Sequence, residues 1–486
     1  MNLEHIILVY IIPMLAWLTI ISVTLRLLVK KQSSSATLSW LMLIYLVPVI
    51  GVLAYLIFGE IKLGSTRADA FRRLHPKYRA WLAHLSEQTD LISMPKNLRY
   101  RPLFDLNYRR LGIPCIRGNE LHILDTAENI MRSIIEDIRQ ARHSINMVFY
   151  IWSNQGMVEN VAQTLLEAQQ RGVNIRILLD SVGSRPFLKS KACRELRAQG
   201  IEIVETLHVN PFRMFFSRID LRQHRKIIVI DNQISYTGSM NMVDPAFFKQ
   251  DRHVGNWVDV MVRVNGAVSA VLNSLHAWDW EIETGVELPL QLPNCPLVSI
   301  DDNDTHSVQV IATGPAFPDD LAPQSLALAI YAARESITIT SPYFVPSHSI
   351  AEALRIAALR GVKVSLVLPK KNDSLMVGWA SRTFFDDLLS AGVEIYEFEA
   401  GLLHTKSILI DNKLSLIGTM NMDLRSFFLN FELALVVEDR AFANEVAILH
   451  ESYIANSELL DKQKWFVRPF YYRIIERLFF LFSPLL

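Results

Sequence analysis

The sequence predicts an α/β protein in which two copies of one domain follow each other behind an amino-terminal, two-helix membrane hairpin. Three observations carry this prediction. The first sixty residues are poor in charge, a polar motif pair recurs at a constant offset of 180 residues, and each copy alternates helical periodicity with short β-branched runs.

The 486 residues hold material for two or three domain-sized units. Lys+Arg and Asp+Glu both number 49, so the net charge is zero, which excludes a strongly basic nucleic-acid binder. Charged residues make up 20%, against about 25% in an ordinary globule. The shortfall is local, because residues 1–60 carry only Glu4, Arg26, Lys30, Lys31 and Glu60. Cys115, Cys193 and Cys295 are far apart in the chain, which excludes a disulfide framework and a clustered thiolate metal site.

Within residues 1–60, two runs (about 6–29 and 36–59) are long and apolar enough to cross a bilayer core of about 30 Å as helices. The polar turn between them makes a transmembrane hairpin. A cleaved signal peptide fits poorly, because no basic region precedes the first run and a second run follows at once. Six cations, Lys62 to Arg79, follow the second run, against three in the turn; the positive-inside rule then places both termini in the cytoplasm. Residues 61–110 read as a basic juxtamembrane segment.

The repeat defines the rest. Leu-Arg-Gln-His224-Arg-Lys226 leads through an apolar run to Asp231, then Gly238-Ser239-Met-Asn241-Met; Leu-Leu-His404-Thr-Lys406 leads in the same way to Asp411, then Gly418-Thr419-Met-Asn421-Met. In the first copy, strands are expected over 145–151, 175–179 and 225–230 around a helix over 158–171. The second repeats the order at 337–340, 348–360 (helix), 364–368 and 407–410. Strand, helix, strand in succession predicts α/β sandwiches with a parallel or mixed sheet. The first domain spans 111–286 and the second 307–460. Between them, 287–306 holds Pro289, Pro293, Pro296 and an Asp-rich run, a linker. The end, 461–486, interleaves aromatics with arginines and suits an interfacial tail.

Residues i and i+2 of a strand face the same way, so His224 projects with Lys226 and His404 with Lys406. Ser239 with Asn241, and Thr419 with Asn421, repeat the device, and Gly238 and Gly418 allow close approach. If the two copies face each other, one pocket holds two imidazoles and two ammonium groups. Such a pocket suits a phosphodiester: one neutral imidazole attacks phosphorus, the other protonates the leaving alkoxide, and the lysines and amides hold the non-bridging oxygens. No metal is needed.

The paired H-x-K-x(4)-D motifs resemble those of the phospholipase D superfamily over about residues 115–460, and with the hairpin the whole chain resembles the bacterial cardiolipin synthases of that type. The resemblance implies two tandem phospholipase D-type domains forming one pseudo-twofold active site. It implies a phosphohistidine on His224, with His404 as acid and then base, and phosphate binding by Lys226, Lys406, Asn241 and Asn421. Asp231 and Asp411 would be a supporting shell around the reacting groups. A later acid in each half orients the opposite histidine; Glu432 fits this role toward His224 and Asp259 toward His404, although Asp259 lies 18 residues after Asn241 and Glu432 only 11 after Asn421. The implied reaction moves a phosphatidyl group between two phosphatidylglycerol molecules, giving cardiolipin and glycerol without cofactor. The implied setting is the bacterial inner membrane, with anionic lipid as partner. Hydrolysis with water as acceptor remains the alternative within the same chemistry, and a non-catalytic lipid-binding scaffold lies outside it.

Overall fold

The computed structural model describes residues 7–30, 34–60, 63–209, 218–293 and 305–483. They form two compact units, one from residues 1–68 with 209–220 and one from 69–208 with 221–486. Most of the expected linker, 294–304, and the last three residues of the tail lie outside the described residues.

In the first unit, one helix near the amino terminus, Val9–Val29, is long and apolar enough to cross a membrane. The second run, expected as one span over 36–59, is instead two helices, Ser34–Leu46 and Pro48–Phe58. Pro48 has no N–H to continue the ladder, and its ring opposes the carbonyl one turn back, so the chain turns at Val47. The two arms then run back along each other. Trp40 and Tyr55 meet with ring centroids 5.5 Å apart, and a Cβ on Gly51 would stand 2.6 Å from the Ile44 Cα. Ile20, Val23 and Leu27 of the long helix pack with Ile44, Val52 and Tyr55.

In the second unit, both copies share one continuous mixed sheet. Ser144–Phe149, Asn174–Asp180 and Glu202–Thr206 pair in parallel, and Ser144–Phe149 also pairs antiparallel with Ile227–Ile230. From there the sheet runs antiparallel through Ile234–Gly238 and Met261–Gly266 to Cys115–Leu124. The second copy repeats this: Glu394–Phe398, Lys363–Pro369, Ser336–Thr340, Ser407–Ile410, Leu414–Gly418, Asn430–Glu438 and His306–Thr313. Cys115–Leu124 pairs antiparallel with His306–Thr313 and fuses the halves about a local twofold. The helices Met157–Gln170 and His348–Leu359 lie within two residues of their expected bounds. The core of the first copy gathers Ile145, Met147, Val161, Leu165, Ile177 and Ile228, the inward positions of the strands and helices that the β-branched runs and helical periodicity predicted.

At the tail, Lys462–Phe466 and Phe470–Phe480 are helices. The second packs on Leu375–Ser381 through Trp379, Tyr472 and Phe479, while Phe470, Ile474 and Leu478 stay exposed.

Candidate active site

The histidines stand where the chain changes sheet partner. Arg222–Gln223 pairs in parallel with Asn430–Phe431 of the other copy, while Ile227–Ile230 returns to its own copy. Residues 224–226 bridge the break, so His224 and Lys226 are not on an uninterrupted strand as the periodicity suggested. The second copy does the same: Leu402–Leu403 pairs with Trp257–Val258, and Ser407–Ile410 returns home. The His224 N–H donates to the Phe431 carbonyl and the His404 N–H to that of Val258, at 3.0 and 2.8 Å. Because the register crosses over, each histidine lands beside the other copy's acid.

Those pairs are close. His224 Nδ1 lies 2.9 Å from both Glu432 carboxylate oxygens, and His404 Nδ1 lies 2.6 Å from Asp259 Oδ1. A carboxylate only accepts, so each Nδ1 carries the proton and each Nε2 lone pair is left for chemistry. The hydroxyl of each acid's own copy holds it in place: Ser239 donates to Asp259 at 2.6 Å and Thr419 donates to Glu432. The longer spacing before Asp259 is taken up by an extra loop, 244–256, and leaves the acid in register.

Both lysines are buried and donate to the carbonyl of the histidine two residues earlier, Lys226 at 2.8 Å. Burial pushes the Lys226 ammonium down to about 8 against the pull of Glu432 and Asp259. Lys406 falls to about 7, through burial and then the neighbouring Lys226, opposed by Asp259. Burial likewise drives His224 and His404 down to about 4 despite their carboxylates, which favours neutral imidazoles near pH 7. Glu432 and Asp259 are also pushed up by burial, but their histidines and lysines outweigh it and hold both below the ordinary carboxylate range.

Asn241 and Asn421 are buried three residues beyond Gly238 and Gly418, where strands approach closely. A Cβ on Gly238 would stand 2.3 Å from the Val260 carbonyl, and one on Gly418 2.2 Å from that of Leu433, so both glycines answer a backbone contact. Asn241 Oδ1 accepts from the Ile151 N–H at 3.2 Å, which leaves its NH₂ to donate.

Asp231 and Asp411 are not brought to the histidines. Each lies five residues beyond its lysine, about 16 Å along an extended chain. Asp231 accepts the N–H groups of Arg142, His143 and Ser144 at 2.8 Å, and Asp411 those of Arg334, Glu335 and Ser336 at 2.7 to 3.0 Å. They tie the far end of the motif strand to the strand beside it.

Sequence reasoning passed over several neighbours. Asn430 is a third donor to Glu432, at 3.2 Å. Trp257 is buried and lies over His404 with centroids 4.2 Å apart, and Tyr150 stands edge-on to His224 at 5.1 Å. Arg225, fully buried, pairs with Asp279 at 2.7 Å and reaches the Glu432 carbonyl at 3.3 Å. The signal available for Trp257 and Asn430 was their shared place two residues before each acid.

Comparison with known proteins finds the same two copies. The family described as "Cardiolipin synthase, PLD-like domain" matches residues 134–267 and 326–452, one stretch per copy. The chain belongs to that family. A second family, "Phospholipase_D-nuclease N-terminal", matches residues 11–60. The proteins named cardiolipin synthase A of Yersinia pseudotuberculosis and Yersinia pestis are each 49% identical over 470 residues, 97% of this chain and of theirs. The fold resembles the crystal structure of a phosphatidylserine synthase of Haemophilus influenzae, with a TM-score of 0.54 at 13% identity, covering 80% of this chain and 98% of that one. Membership of this family, with an apolar amino-terminal helix, makes the chain a membrane-associated protein that works on phospholipid.

Proposed function

We propose that the chain is a cardiolipin synthase that transfers a phosphatidyl group from one phosphatidylglycerol to the free glycerol hydroxyl of another. The observation that carries this reading is the crossed pair of buried His–carboxylate contacts, 2.9 and 2.6 Å, on neighbouring lysines.

In the first half-reaction His224 Nε2 attacks phosphorus. The P–N bond forms, the bond from phosphorus to the headgroup glycerol oxygen breaks, and that oxygen takes a proton from His404 Nε2. The arriving phosphate anion supplies the charge that favours a protonated His404. In the second half-reaction the hydroxyl of another phosphatidylglycerol gives its proton to His404 and attacks phosphorus, and His224 leaves. Lys226, Lys406, Asn241 and Asn421 hold the non-bridging oxygens throughout. An asymmetry between the acids supports this division of labour. Glu432 shares its charge among His224, Thr419 and Asn430, whereas Asp259 Oδ2 has no hydrogen-bond partner among the described residues, so Asp259 keeps more charge for an imidazolium at His404.

The catalytic copies belong on the cytoplasmic face of a bacterial inner membrane, where the cations following residue 60 favour them. The two domains, 111–286 and 307–460, share the one site, and the tail from 461 lies in the lipid interface.

The test gives purified protein labelled phosphatidylglycerol in detergent micelles with a chelator present. Cardiolipin and glycerol appear together in equal amounts, and both vanish in His224→Ala. Phosphatidic acid without cardiolipin would make the protein a hydrolase and overturn the reading.

A further inference from the structure

The loop 244–256 of the first copy is seven residues longer than its counterpart 424–429 in the second, and catalysis leaves its residues unused. It crosses to the other copy. A Cβ on Gly255 would stand 2.9 Å from the Gly401 Cα, so the loop lies against the chain that leads into His404. At its apex Lys249 takes a left-handed backbone, φ 49°. Its Nζ lies 5.0 Å from the centre of the Trp257 ring, 5.4 Å from that of Phe248, and 3.1 Å from Asp373 Oδ2. Asp373 follows the strand Lys363–Pro369 of the second copy, and its other oxygen accepts from the Tyr343 hydroxyl at 2.8 Å. Trp257 is the ring that lies over His404.

Two aromatic rings and a carboxylate are what receives an organic ammonium. Here the ammonium is the protein's own. An amine-bearing headgroup, such as ethanolamine or choline, meets a filled place and a like charge. A glycerol headgroup meets complementary groups, because an ammonium has three N–H donors and a carboxylate about four lone-pair positions. Both half-reactions put the headgroup glycerol on the His404 side, first as leaving group and then as attacking hydroxyl.

We propose that Lys249, with Asp373 and Tyr343, forms the headgroup subsite beside His404, which takes an uncharged polyol and excludes cationic headgroups. This rests on the assignment of His404 as the acid–base group.

The experiment compares kcat/KM for phosphatidylglycerol and phosphatidylethanolamine as donors in mixed micelles. In Lys249→Met the preference for glycerol over ethanolamine narrows at least tenfold, while Lys249→Arg keeps it within about threefold of the parent. Should Lys249→Met fail to accumulate, Lys249→Gln is read in the same way. A uniform fall on both donors with an unchanged ratio would overturn the proposal and leave the transferase reading intact. A parent enzyme that releases headgroup but makes no cardiolipin would sink the transferase reading instead.

An independent observation concerns the membrane unit. The arms Ser34–Leu46 and Pro48–Phe58 are about 20 and 16 Å long, short of a core of about 30 Å, and they are antiparallel. At the open end of this hairpin Glu60 accepts from Arg26 through Nε and Nη2, at 2.6 and 2.8 Å, and from the Tyr55 hydroxyl at 3.0 Å. Arg26 belongs to the last turn of the long helix. Residues 26 and 60 therefore sit at one level, whereas two full crossings would part them by the thickness of the membrane. We infer that the chain crosses once, re-enters without crossing, and emerges at residue 60 on the side it had reached at residue 30. All nine Lys and Arg residues from Arg26 to Arg79 then fall on one side, so the competition between three cations and six disappears and the amino terminus lies outside.

Single cysteines at Asn2 and Ser33, in a background with the three native cysteines replaced, test this with a membrane-impermeant maleimide. In intact spheroplasts Asn2→Cys labels, while Ser33→Cys labels only after permeabilisation. Two full crossings give the reverse at both positions, which would overturn the inference.

Discussion

Filling the pocket with an anion at different pH tests the electrostatics of the site directly. Burial strips water from each ammonium and lowers Lys406 to about 7 and Lys226 to about 8. An amine is charged below its pKa and neutral above it. At pH 8 the deprotonated fractions are therefore about 0.9 for Lys406 and about 0.5 for Lys226. A phosphodiester between them favours the charged form of both. Binding then draws about 1.4 protons from solvent onto these lysines at pH 8 and only about 0.1 at pH 6. Affinity must weaken with rising pH at the slope set by that uptake, by linkage. The ligand is a phosphonate analogue of phosphatidylglycerol, with carbon in place of the headgroup ester oxygen. The assay is titration calorimetry in buffers of different ionisation enthalpy, where the dependence of observed heat on buffer enthalpy counts protons. Lys406→Met lowers the uptake at pH 8 by about 0.9. A negligible uptake at pH 8 would refute the reasoning, since both ammonium groups would then be fully charged before the anion arrives. So would an uptake that shrinks from pH 6 to pH 8, which is the signature of an imidazole alone.

Other outcomes follow from single contacts. Glu432→Gln can donate an amide hydrogen to His224 Nδ1, which moves the ring proton to Nε2; kcat falls on the order of 10³ to 10⁴-fold and no phosphohistidine is trapped by acid quench. Asp231→Ala releases three backbone N–H groups at the strand end and lowers stability by about 2–4 kcal/mol in denaturant titration, while kcat per folded molecule stays within about twofold. Arg225→Met takes from the buried Asp279 carboxylate its cationic partner, leaving the Gln223 amide donating to it, and costs about 3–5 kcal/mol by the same measurement.

Much of the site was legible because its residues are close in sequence. His224 with Lys226, and His404 with Lys406, are separated by one residue, and their recurrence at a fixed offset turned a weak motif into a strong one. The serine or threonine and the asparagine after each glycine followed from the same spacing. Composition likewise announced an apolar amino-terminal end. These signals are local, set by side-chain chemistry and period, and tertiary contacts do not alter them.

What needed the tertiary structure is the pairing across the twofold. Which acid meets which histidine depends on the register between Arg222–Gln223 and Asn430–Phe431, and between Leu402–Leu403 and Trp257–Val258, strands separated by well over a hundred residues. The uneven spacing before Asp259 left its match open until the extra loop was seen to bulge away from the register. Asp231 and Asp411 carry the motif's name but bond backbone N–H groups at the other end of the strand, a distinction that spacing does not encode. The second apolar run is the sharpest case. Its composition suits a single span as well as two short arms, and the contacts of Trp40 with Tyr55 and of Arg26 with Glu60 decide between them. Residue types and their spacing determined the chemistry this chain carries, while its geometry came from contacts between residues far apart in sequence, which no local pattern contains.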